Sequence, residues 1–311
     1  MFSLSKERFL IRSAKGNEYN LKKRLSYGIC LSVIAVVAGI NLLPALFVFT
    51  NSFMSNLEAE SRYTSIITAY NTFGMSNGSM HYMEWGFLPE VLTFSGLKHI
   101  LLDNPIYLRF IWNSIILTIP IVAGQLAIAP LAAYGFELVR TRFKESLFFA
   151  YIVIMLMPLQ ATLVPNYIAA RVFGIDGSYW SIIPPSVFSP FGVFLLRQQM
   201  KGFDRQMIEA ARIDGASELK AFFKVVLPNL RPSMIALTVL AFAESWNIVD
   251  QAIVFIKTDY AMPMSVYLSK AVSGDIGTVF SLSTLFMIPA LIVFIYGQDY
   301  LAEGINTYRL R

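Results

Sequence analysis

The chain has 311 residues, of which 56% are hydrophobic and 14% are charged, and its mean hydropathy is +0.56. Because soluble domains carry about a quarter of their residues as charged ones, this composition excludes an ordinary soluble protein and indicates one that lies in a bilayer. The net charge of +5 does not indicate a nucleic-acid partner, since the basic residues form short blocks between long apolar runs, as at a membrane surface.

The first apolar run follows a basic segment that extends from Lys6 to Arg24. It is too long for the apolar part of a secretory signal, contains Pro44 and lacks a small-residue cleavage pattern, so we interpret it as a retained span. This interpretation divides the start of the chain into an N-terminal tail, residues 1–27, and a first transmembrane span, residues 28–56.

A long connection, residues 57–108, follows the first span and is rich in glycine, proline and aromatic residues. We expect it to form a small cap beside the membrane. Within it, Ser95 to Leu102 carries Leu97, Ile100 and Leu101 at helical spacing, which predicts a short helix packed against the ends of the spans.

Five further apolar intervals are long enough to cross the hydrocarbon core, which takes about 20 residues. The first three of them and the last are free of charge, whereas the fourth is interrupted by Glu244 and Asp250. Pro184, Pro185 and Pro190 predict that the third interval contains a non-helical segment followed by a shorter helix. The intervals are residues 110–136, 146–170, 177–196, 232–256 and 276–298.

Six spans place both termini on one side of the membrane, and the positions of Lys and Arg decide which side that is. Nineteen of the 25 basic residues fall in the two tails and in the second-to-third and fourth-to-fifth connections. Since basic residues collect on the cytoplasmic side, we expect an all-α bundle of six transmembrane helices with both termini in the cytoplasm. Its predicted parts are an extracytoplasmic loop at 57–108, a five-helix core at 109–300 with a cytoplasmic loop at 200–231, and a C-terminal tail at 301–311.

The fourth-to-fifth connection predicts a hairpin of two helices. Asp204 is a suitable N-cap for the first helix, and Asp214-Gly215 ends it because glycine readily adopts the left-handed conformation. Ser217 can then cap a second helix, which is predicted to end at Pro228. We expect one apolar stripe on this second helix and a small-residue surface on the first, at which another protein's backbone could approach closely. The stripe consists of Leu219, Phe222, Phe223 and Val226, and the small residues are Ala210, Ala211 and Ala216.

The hairpin resembles a known motif. Glu209-Ala210-Ala211, then Gly215, then Val225, Leu227 and Pro228, match at every spacing the EAA loop of the permeases of binding-protein-dependent ABC importers. The one departure is Val225, where isoleucine is usual. In that family the loop is the coupling helix that docks into a cleft of the ATPase subunit. The resemblance assigns this coupling role to Glu209, Ala210, Ala211, Arg212, Asp214, Gly215, Leu227 and Pro228.

Other segments of the chain resemble the carbohydrate branch of this family, and more narrowly the second permease of maltose-type systems. They are residues 113–118, 132–134, 212–216, 245–247 and 298–304. The resemblance implies a type I importer permease fold in the bacterial inner membrane and a sugar substrate. It also implies a second homologous permease, two copies of an ABC ATPase, an extracytoplasmic solute-binding protein and contact with membrane lipid. Asn247 is followed by Ile-Val-Asp-Gln instead of the commoner aromatic and Pro-Leu pattern, which leaves the substrate open.

Polar residues at membrane depth are costly and therefore mark candidates for the solute pathway. Glu244, Trp246, Asn247 and Asp250 offer an aromatic face and hydrogen-bonding groups, a combination that suits a sugar. Helical spacing allows at most two pairs of them to share a face, so not all four can line one pore. Packing is the alternative for each: Glu244 would pair within the bundle and Trp246 would lie in the interfacial belt. Gln160 and Gln125 are further candidates with weaker support.

No constellation for catalysis is present in the sequence. It contains no G-x-x-x-x-G-K-[ST] loop, so we expect a non-catalytic permease that binds no cofactor itself, with ATP and Mg held by the partner ATPase. The only cysteine, Cys30, and the two histidines, His81 and His99, do not suggest a metal site. Two alternatives stay open: a permease for another polar solute, such as a glycerol-phosphate diester or a polyol, and an ion-coupled transporter that uses Glu244 and Asp250.

Overall fold

A computed structural model describes residues 3–71, 86–138, 142–270 and 276–306, and this part of the chain is almost entirely helical and without strands. Four helical stretches are long and apolar enough to cross a membrane, and two helix pairs bent by more than 40° raise the number to six if each pair is one span. The four are Ser26–Asn51, Pro105–Glu137, Tyr179–Lys201 and Ile276–Leu301.

The first half of the chain forms six helices. Helix α1, Ser3–Asn51, ends five residues before the predicted boundary, and a turn at 52–54 leads into α2, Asn56–Asn71. The predicted short helix is present as α3, Ser95–Lys98, which continues as a π turn, His99–Asp103. Helix α4, Pro105–Leu138, is followed by α5, Lys144–Met155, and α6, Leu159–Val172.

The second half is more broken, as its prolines predict. Helices α7, Ile183–Val187, and α8, Pro190–Lys201, precede the hairpin helices α9, Arg205–Ile213, α10, Glu218–Ala221, and α11, Leu227–Asn229. Helix α12, Arg231–Trp246, and helix α13, Asp250–Phe255, are the two halves of the predicted interrupted span. Helices α14, Met264–Lys270, and α15, Ile276–Asn306, complete the bundle.

The interval predicted as one uninterrupted span, 146–170, is instead bent. Helices α5 and α6 meet at 102°. The bend lies at Pro158, whose φ of −65° and ψ of 144° are extended rather than helical. Proline lacks the N–H that a continuing helix needs and disfavours the helical conformation in the residue before it, so the break is a local consequence of the sequence.

Helix α4 lies at the centre of the bundle and packs against α7, α8 and α12. Around it, one apolar core surrounds Ala133, Leu196 and Leu237 near the hairpin, and a second surrounds Leu117, Ile182 and Phe255 toward the opposite end. In a third packing face, α12 and α15 approach each other closely at Gly297. A Cβ atom built on Gly297 would lie 2.1 Å from Val239 Cγ2, which is too close for a side chain.

Helix α1 lies at the margin of this bundle. None of the residues in its most apolar 18-residue window is buried, and its contacts to the bundle involve mainly α15. Near the end of α1, the Phe47 ring packs edge-on against Tyr63 and Phe280. The predicted packing of the short outer helix holds for Ile100, which is fully buried, but not for Leu101, which is 45% exposed.

Candidate functional sites: a surface hairpin and an internal cavity

The first hairpin helix begins and ends where the sequence predicts. Asp204 is the N-cap of α9, and its Oδ1 accepts a 2.9 Å hydrogen bond from the Gln206 amide. At the other end, Gly215 has a φ of +78°, and the Ala216 amide donates to the Ala211 carbonyl. Among the described residues, no atom lies within 4 Å of a Cβ built on Gly215, so backbone conformation rather than space requires glycine there.

The second hairpin helix is longer than predicted. Ser217 is its N-cap and accepts from the Lys220 amide, as expected, but the helix passes Pro228 and ends at Asn229. A π turn, Phe222–Val226, precedes Pro228. This turn changes the hydrogen-bond register immediately before the proline, so the missing proline N–H interrupts no regular ladder.

The hairpin has an inner face that is packed into the bundle. Ile208, Phe222 and Val226 are at most 2% exposed and belong to the same core cluster as Leu196 and Met200 of α8. The predicted single stripe on the second helix is therefore wrong. Phe222 and Val226 are buried against the bundle, whereas Leu219 and Phe223 are 65% and 56% exposed on the other side of the stripe.

The outer face of the hairpin is apolar and uncovered in the described part of the chain. Ile213 at the tip is 86% exposed and Met207 is 45% exposed, and Leu219 and Phe223 extend the same surface. Among the residues of the motif, Leu227 and Ala211 are half-buried, whereas the rest are exposed: Glu209, Ala210, Arg212, Asp214, Gly215 and Pro228.

Arg212 closes the hairpin on itself. Its Nε lies 2.8 Å from Glu218 Oε1 and its Nη2 lies 3.1 Å from Glu218 Oε2. The Tyr134 hydroxyl, on α4, donates a 2.7 Å hydrogen bond to the same Oε2. Hydrogen bonds from Arg212, and then from Tyr134, lower the pKa of Glu218 below its ordinary value. Glu218 is not among the site residues predicted from the sequence. It follows Arg212 by six residues, and the glycine turn between them would have indicated that the two charges can pair.

A half-open cavity of about 640 Å³ lies where α4, α6, α8 and α12 approach one another. Four of the predicted pathway residues line it, namely Gln125, Glu244, Asn247 and Asp250. Further polar lining comes from Thr162, Asn166, Ser186, Ser189 and Gln251. Among the described residues that form its wall there is no Lys, Arg or His, so the wall carries two carboxylates and no cation.

Glu244, Asn247 and Asp250 reach one cavity because the helix that carries them is broken. Helix α12 ends at Trp246, Asn247 has a φ of −98° and a ψ of 21°, and α13 starts at Asp250. Regular helical spacing predicts that at most two pairs share a face, but three residues share the cavity once the helix is interrupted.

Two of the predicted pathway residues lie outside the cavity. Trp246 is 2% exposed, its ring is stacked between Phe242 and Phe286, and its Nε1 donates a 3.0 Å hydrogen bond to the Phe286 carbonyl. Trp246 therefore has a packing role, the alternative to lining the pathway, but it packs between helices and not in the interfacial belt that was expected. Gln160 is exposed on α6 and is not part of the cavity wall.

Gln125 has a defined orientation. It is 4% exposed, and its Nε2 donates a 2.8 Å hydrogen bond to the Ser186 carbonyl. Asn247 Nδ2 likewise donates to the Ala243 carbonyl at 3.0 Å.

Within the described ranges no group of three or more His, Cys, Asp or Glu side chains could hold a metal ion, and His81 lies outside those ranges.

Comparison with known proteins places this architecture in context. The family of binding-protein-dependent transport system inner membrane components matches residues 108–307. The arabinooligosaccharides transport system permease protein AraQ of Bacillus subtilis is 24% identical over 222 residues, which is 70% of this chain and 79% of that protein. The lactose transport system permease protein LacG of Rhizobium radiobacter is 27% identical over 196 residues, 62% of this chain and 72% of that protein.

A third relative has a different description. The osmoprotective compounds uptake permease protein GgtD of Synechocystis is 32% identical over 200 residues, 62% of this chain and 67% of that protein. Among solved structures, a chain of a bacterial ABC transporter involved in the import of the acidic polysaccharide alginate superposes with a TM-score of 0.71. The match covers 88% of this chain and 96% of that one at 22% identity, so the two share a fold.

Proposed function

Since this chain belongs to the family of binding-protein-dependent transport system inner membrane components, we propose that it forms half of the pathway of an ATP-driven importer and contacts the ATPase through its hairpin. The family match confirms the predicted permease subunit, which is not itself an enzyme, and its place in a membrane. The shared fold confirms the all-helical permease architecture.

The observation that carries the coupling role is the two-sided character of the hairpin. One face is buried in the bundle at Ile208, Phe222 and Val226, whereas the tip exposes Ile213 and Leu219. Interfaces between proteins combine an apolar centre with a polar rim. The exposed Glu209, Ala210 and Asp214 and the half-buried Ala211 supply small and polar neighbours for such a contact. Arg212 holds the hairpin shape through Glu218, and Gly215 forms the turn between the two helices. Leu227 and Pro228 lie in the last turn of the second helix.

The hairpin fixes the proposed orientation in the membrane. ATP is available in the cytoplasm, so the hairpin and the basic connections lie on that side, as the Lys and Arg distribution predicts. The cytoplasmic parts in this orientation are the tails at 1–27 and 301–311 and the loop at 200–231. The membrane is crossed by the span at 28–56 and the core at 109–300, and the connection at 57–108 faces the binding protein outside.

A second homologous permease is supported by helix α1. Gly28, Ser32, Ala35 and Gly39 recur at helical spacing along it, and no described atom lies within 4 Å of a Cβ at either glycine. Small residues in a row let membrane helices approach closely, so this stripe suits a helix of another subunit. The assembly we propose adds two ATPase copies, which hold ATP and Mg, and a solute-binding protein.

A sugar is the proposed solute. The cavity wall presents amides, hydroxyls and two carboxylates, which hydrogen-bond well to the hydroxyl groups of a sugar. The names of AraQ and LacG refer to arabinooligosaccharides and lactose, which supports the same class.

Another polar solute is the second candidate, because GgtD is described as a permease for osmoprotective compounds. A polyol fits the cavity wall, whereas a phosphodiester fits it poorly, since the described wall offers two carboxylates and no cation. An ion-coupled mechanism at Glu244 and Asp250 is disfavoured by membership of a binding-protein-dependent family.

The coupling role is tested by Ile213→Asp, which places a charge at the centre of the proposed ATPase contact. We expect the variant to fold, because Ile213 is 86% exposed, and to lose the ATPase during purification of the complex. Leu92→Asp is the matched control, since Leu92 is 74% exposed but lies far from the hairpin in sequence and belongs to the outer connection. Unchanged ATPase recovery with Ile213→Asp contradicts the proposal.

A further inference from the structure

A buried arginine joins three elements at the hairpin end of the bundle. The Arg197 side chain, on α8, is 1% exposed. Its Nε lies 3.2 Å from Glu137 Oε2, near the end of α4, and its Nη2 lies 2.7 Å from Glu145 Oε1, in the first turn of α5. The Arg197 guanidinium carbon also lies 3.8 Å from the centroid of the Phe148 ring. One side chain therefore ties α8 to both α4 and α5.

A second arginine connects this cluster to the hairpin. Arg205 is the first residue of α9, and its Nη2 lies 3.0 Å from Glu137 Oε1. The two carboxylate oxygens of Glu137 are thus divided between the buried Arg197 and the 60% exposed Arg205. Lys144 Nζ donates a 3.1 Å hydrogen bond to the Glu137 carbonyl, which further fixes this end of α4.

The cluster is neutral, with two arginines and two glutamates, and Glu137 is 7% exposed. Charge-assisted hydrogen bonds to a planar guanidinium are directional, and a carboxylate removed from water is costly when it loses its partner. Apolar contacts such as those of Ile208 and Phe222 are non-directional, whereas a hydrogen-bonded ionic contact fixes the relative orientation of its partners. The hairpin is therefore fixed to α4 at two points, through Glu218 and Tyr134 and through Arg205 and Glu137.

We propose that Glu137, Arg197 and Arg205 form an ionic joint that makes the coupling hairpin move as one body with α4, α5 and α8. Arg205 is a positioning residue in this joint: it transmits displacement of α9 to the bundle and does not contact nucleotide or solute. The inference rests on the proposed contact between hairpin and ATPase, but it concerns a separate step, the transfer of motion after that contact has formed.

Paired spin labels test the joint in the assembled complex with its partner permease and ATPase. Cys30→Ser removes the only native cysteine of this chain, and Gln206→Cys on α9 and Phe149→Cys on α5 place labels at exposed positions outside the proposed ATPase contact. The interlabel distance is measured without nucleotide and with ATP, Mg and vanadate. We expect one narrow distance distribution that is the same in both states, because the two helices move together.

Arg205→Gln removes the charge at the exposed end of the joint and leaves the buried Arg197–Glu137 pair in place. We expect the interlabel distance to shift with nucleotide and its distribution to broaden, while the ATPase still copurifies and still hydrolyses ATP. Arg205→Lys should restore the narrow distribution. Lys201→Gln, the loss of an exposed cation that forms no ion pair among the described residues, should behave like the native complex.

The outcomes separate the joint from the proposed function. A narrow, nucleotide-independent distance in Arg205→Gln overturns the joint, as does a distance that already shifts in the native complex. If Arg205 is needed only for folding, Arg205→Gln will lower the yield of the complex and leave the distance distribution of the folded molecules unchanged. That result also overturns the joint. Failure of the native chain to bind any ATPase contradicts the proposed function instead.

Discussion

Individual residues at the hairpin end are constrained for different physical reasons, and the local signals in the sequence reveal only some of them. The caps Asp204 and Ser217 and the left-handed Gly215 were predictable, because each depends on the chemistry of its own few neighbours. The pairs Glu137–Arg197 and Arg212–Glu218 depend on which side chains meet in space, and the first joins residues 60 positions apart. No spacing rule predicts the contact between Glu137 and Arg197, whereas the short separation of Arg212 and Glu218 across a glycine turn is a local signal.

Gly215→Ala tests the backbone requirement. The Cβ has open space around it, so the expected cost of about 1–2 kcal/mol arises only from the left-handed conformation. We expect faster amide hydrogen exchange across residues 205–229 of the variant. Gly202→Ala is the control, because Gly202 has a φ of −82° that alanine adopts without strain, and exchange there should not increase. Equal exchange in the two variants would argue against a special role for the Gly215 conformation.

Arg197→Met tests the buried ion pair. Removing one partner leaves the Glu137 carboxylate buried with the more exposed Arg205 alone, and such losses cost about 3–5 kcal/mol. We expect a lower melting temperature of the detergent-solubilised chain, with most of the loss recovered in the double variant Arg197→Met, Glu137→Leu. A double variant no more stable than Arg197→Met would show that charge compensation is not the reason for the pair.

At the scale of elements, breaks in helices place the polar groups. The interruption of α12 at Asn247 lies among Glu244, Asn247 and Asp250, which line one cavity. The interruption that Glu244 and Asp250 indicate is confirmed at 231–255, and the predicted shorter helix is present as α8. Pro184 and Pro185, however, lie inside helix α7 and not in a non-helical segment. The direction in which the chain continues after each break depends on tertiary packing, so it could not be predicted.

Asn247→Ala tests the assignment of the cavity to the solute. In the reconstituted importer we expect lower uptake of the proposed sugar solute, because a hydrogen-bonding group is lost from the wall. Gln160→Ala is the matched control, since that side chain is exposed and lies outside the cavity, and its uptake should equal that of the native protein. Unaltered uptake and unaltered solute preference in Asn247→Ala would exclude the contact.

The closing of the hairpin by Glu218 predicts a pH dependence. The pKa of Glu218 is lower in the folded hairpin than in the unfolded chain, where it is about 4.3. The ionised carboxylate therefore stabilises the hairpin at pH values above the unfolded pKa, and this stabilisation is lost as the pH falls through the lower pKa of the folded state. We expect amide exchange of the hairpin, corrected for the intrinsic effect of pH, to rise below that range. Glu218→Gln should abolish this dependence, and its persistence in that variant would assign it to another group.

At the scale of the whole molecule, one side of the bundle is tightly packed and the other is left open. Gly297 brings α15 against Val239 of α12, whereas α1 has no buried residue in its most apolar 18-residue window. The order of the apolar segments could be predicted because bilayer thickness sets their length, and the predicted six spans are reached if each of the two bent helix pairs is one span. The marginal position of α1 could not, since an apolar helix has the same composition whether lipid, its own bundle or a second permease covers it.

The central claim, that the hairpin tip is the surface on which the ATPase acts, is tested most directly by site-specific crosslinking in the intact complex. A photoreactive crosslinker attached at Ile213→Cys in the Cys30→Ser background should form an adduct with the ATPase subunit, and the same reagent at Leu92→Cys should not. The account is contradicted if Ile213→Cys yields no ATPase adduct while the complex remains assembled and hydrolyses ATP.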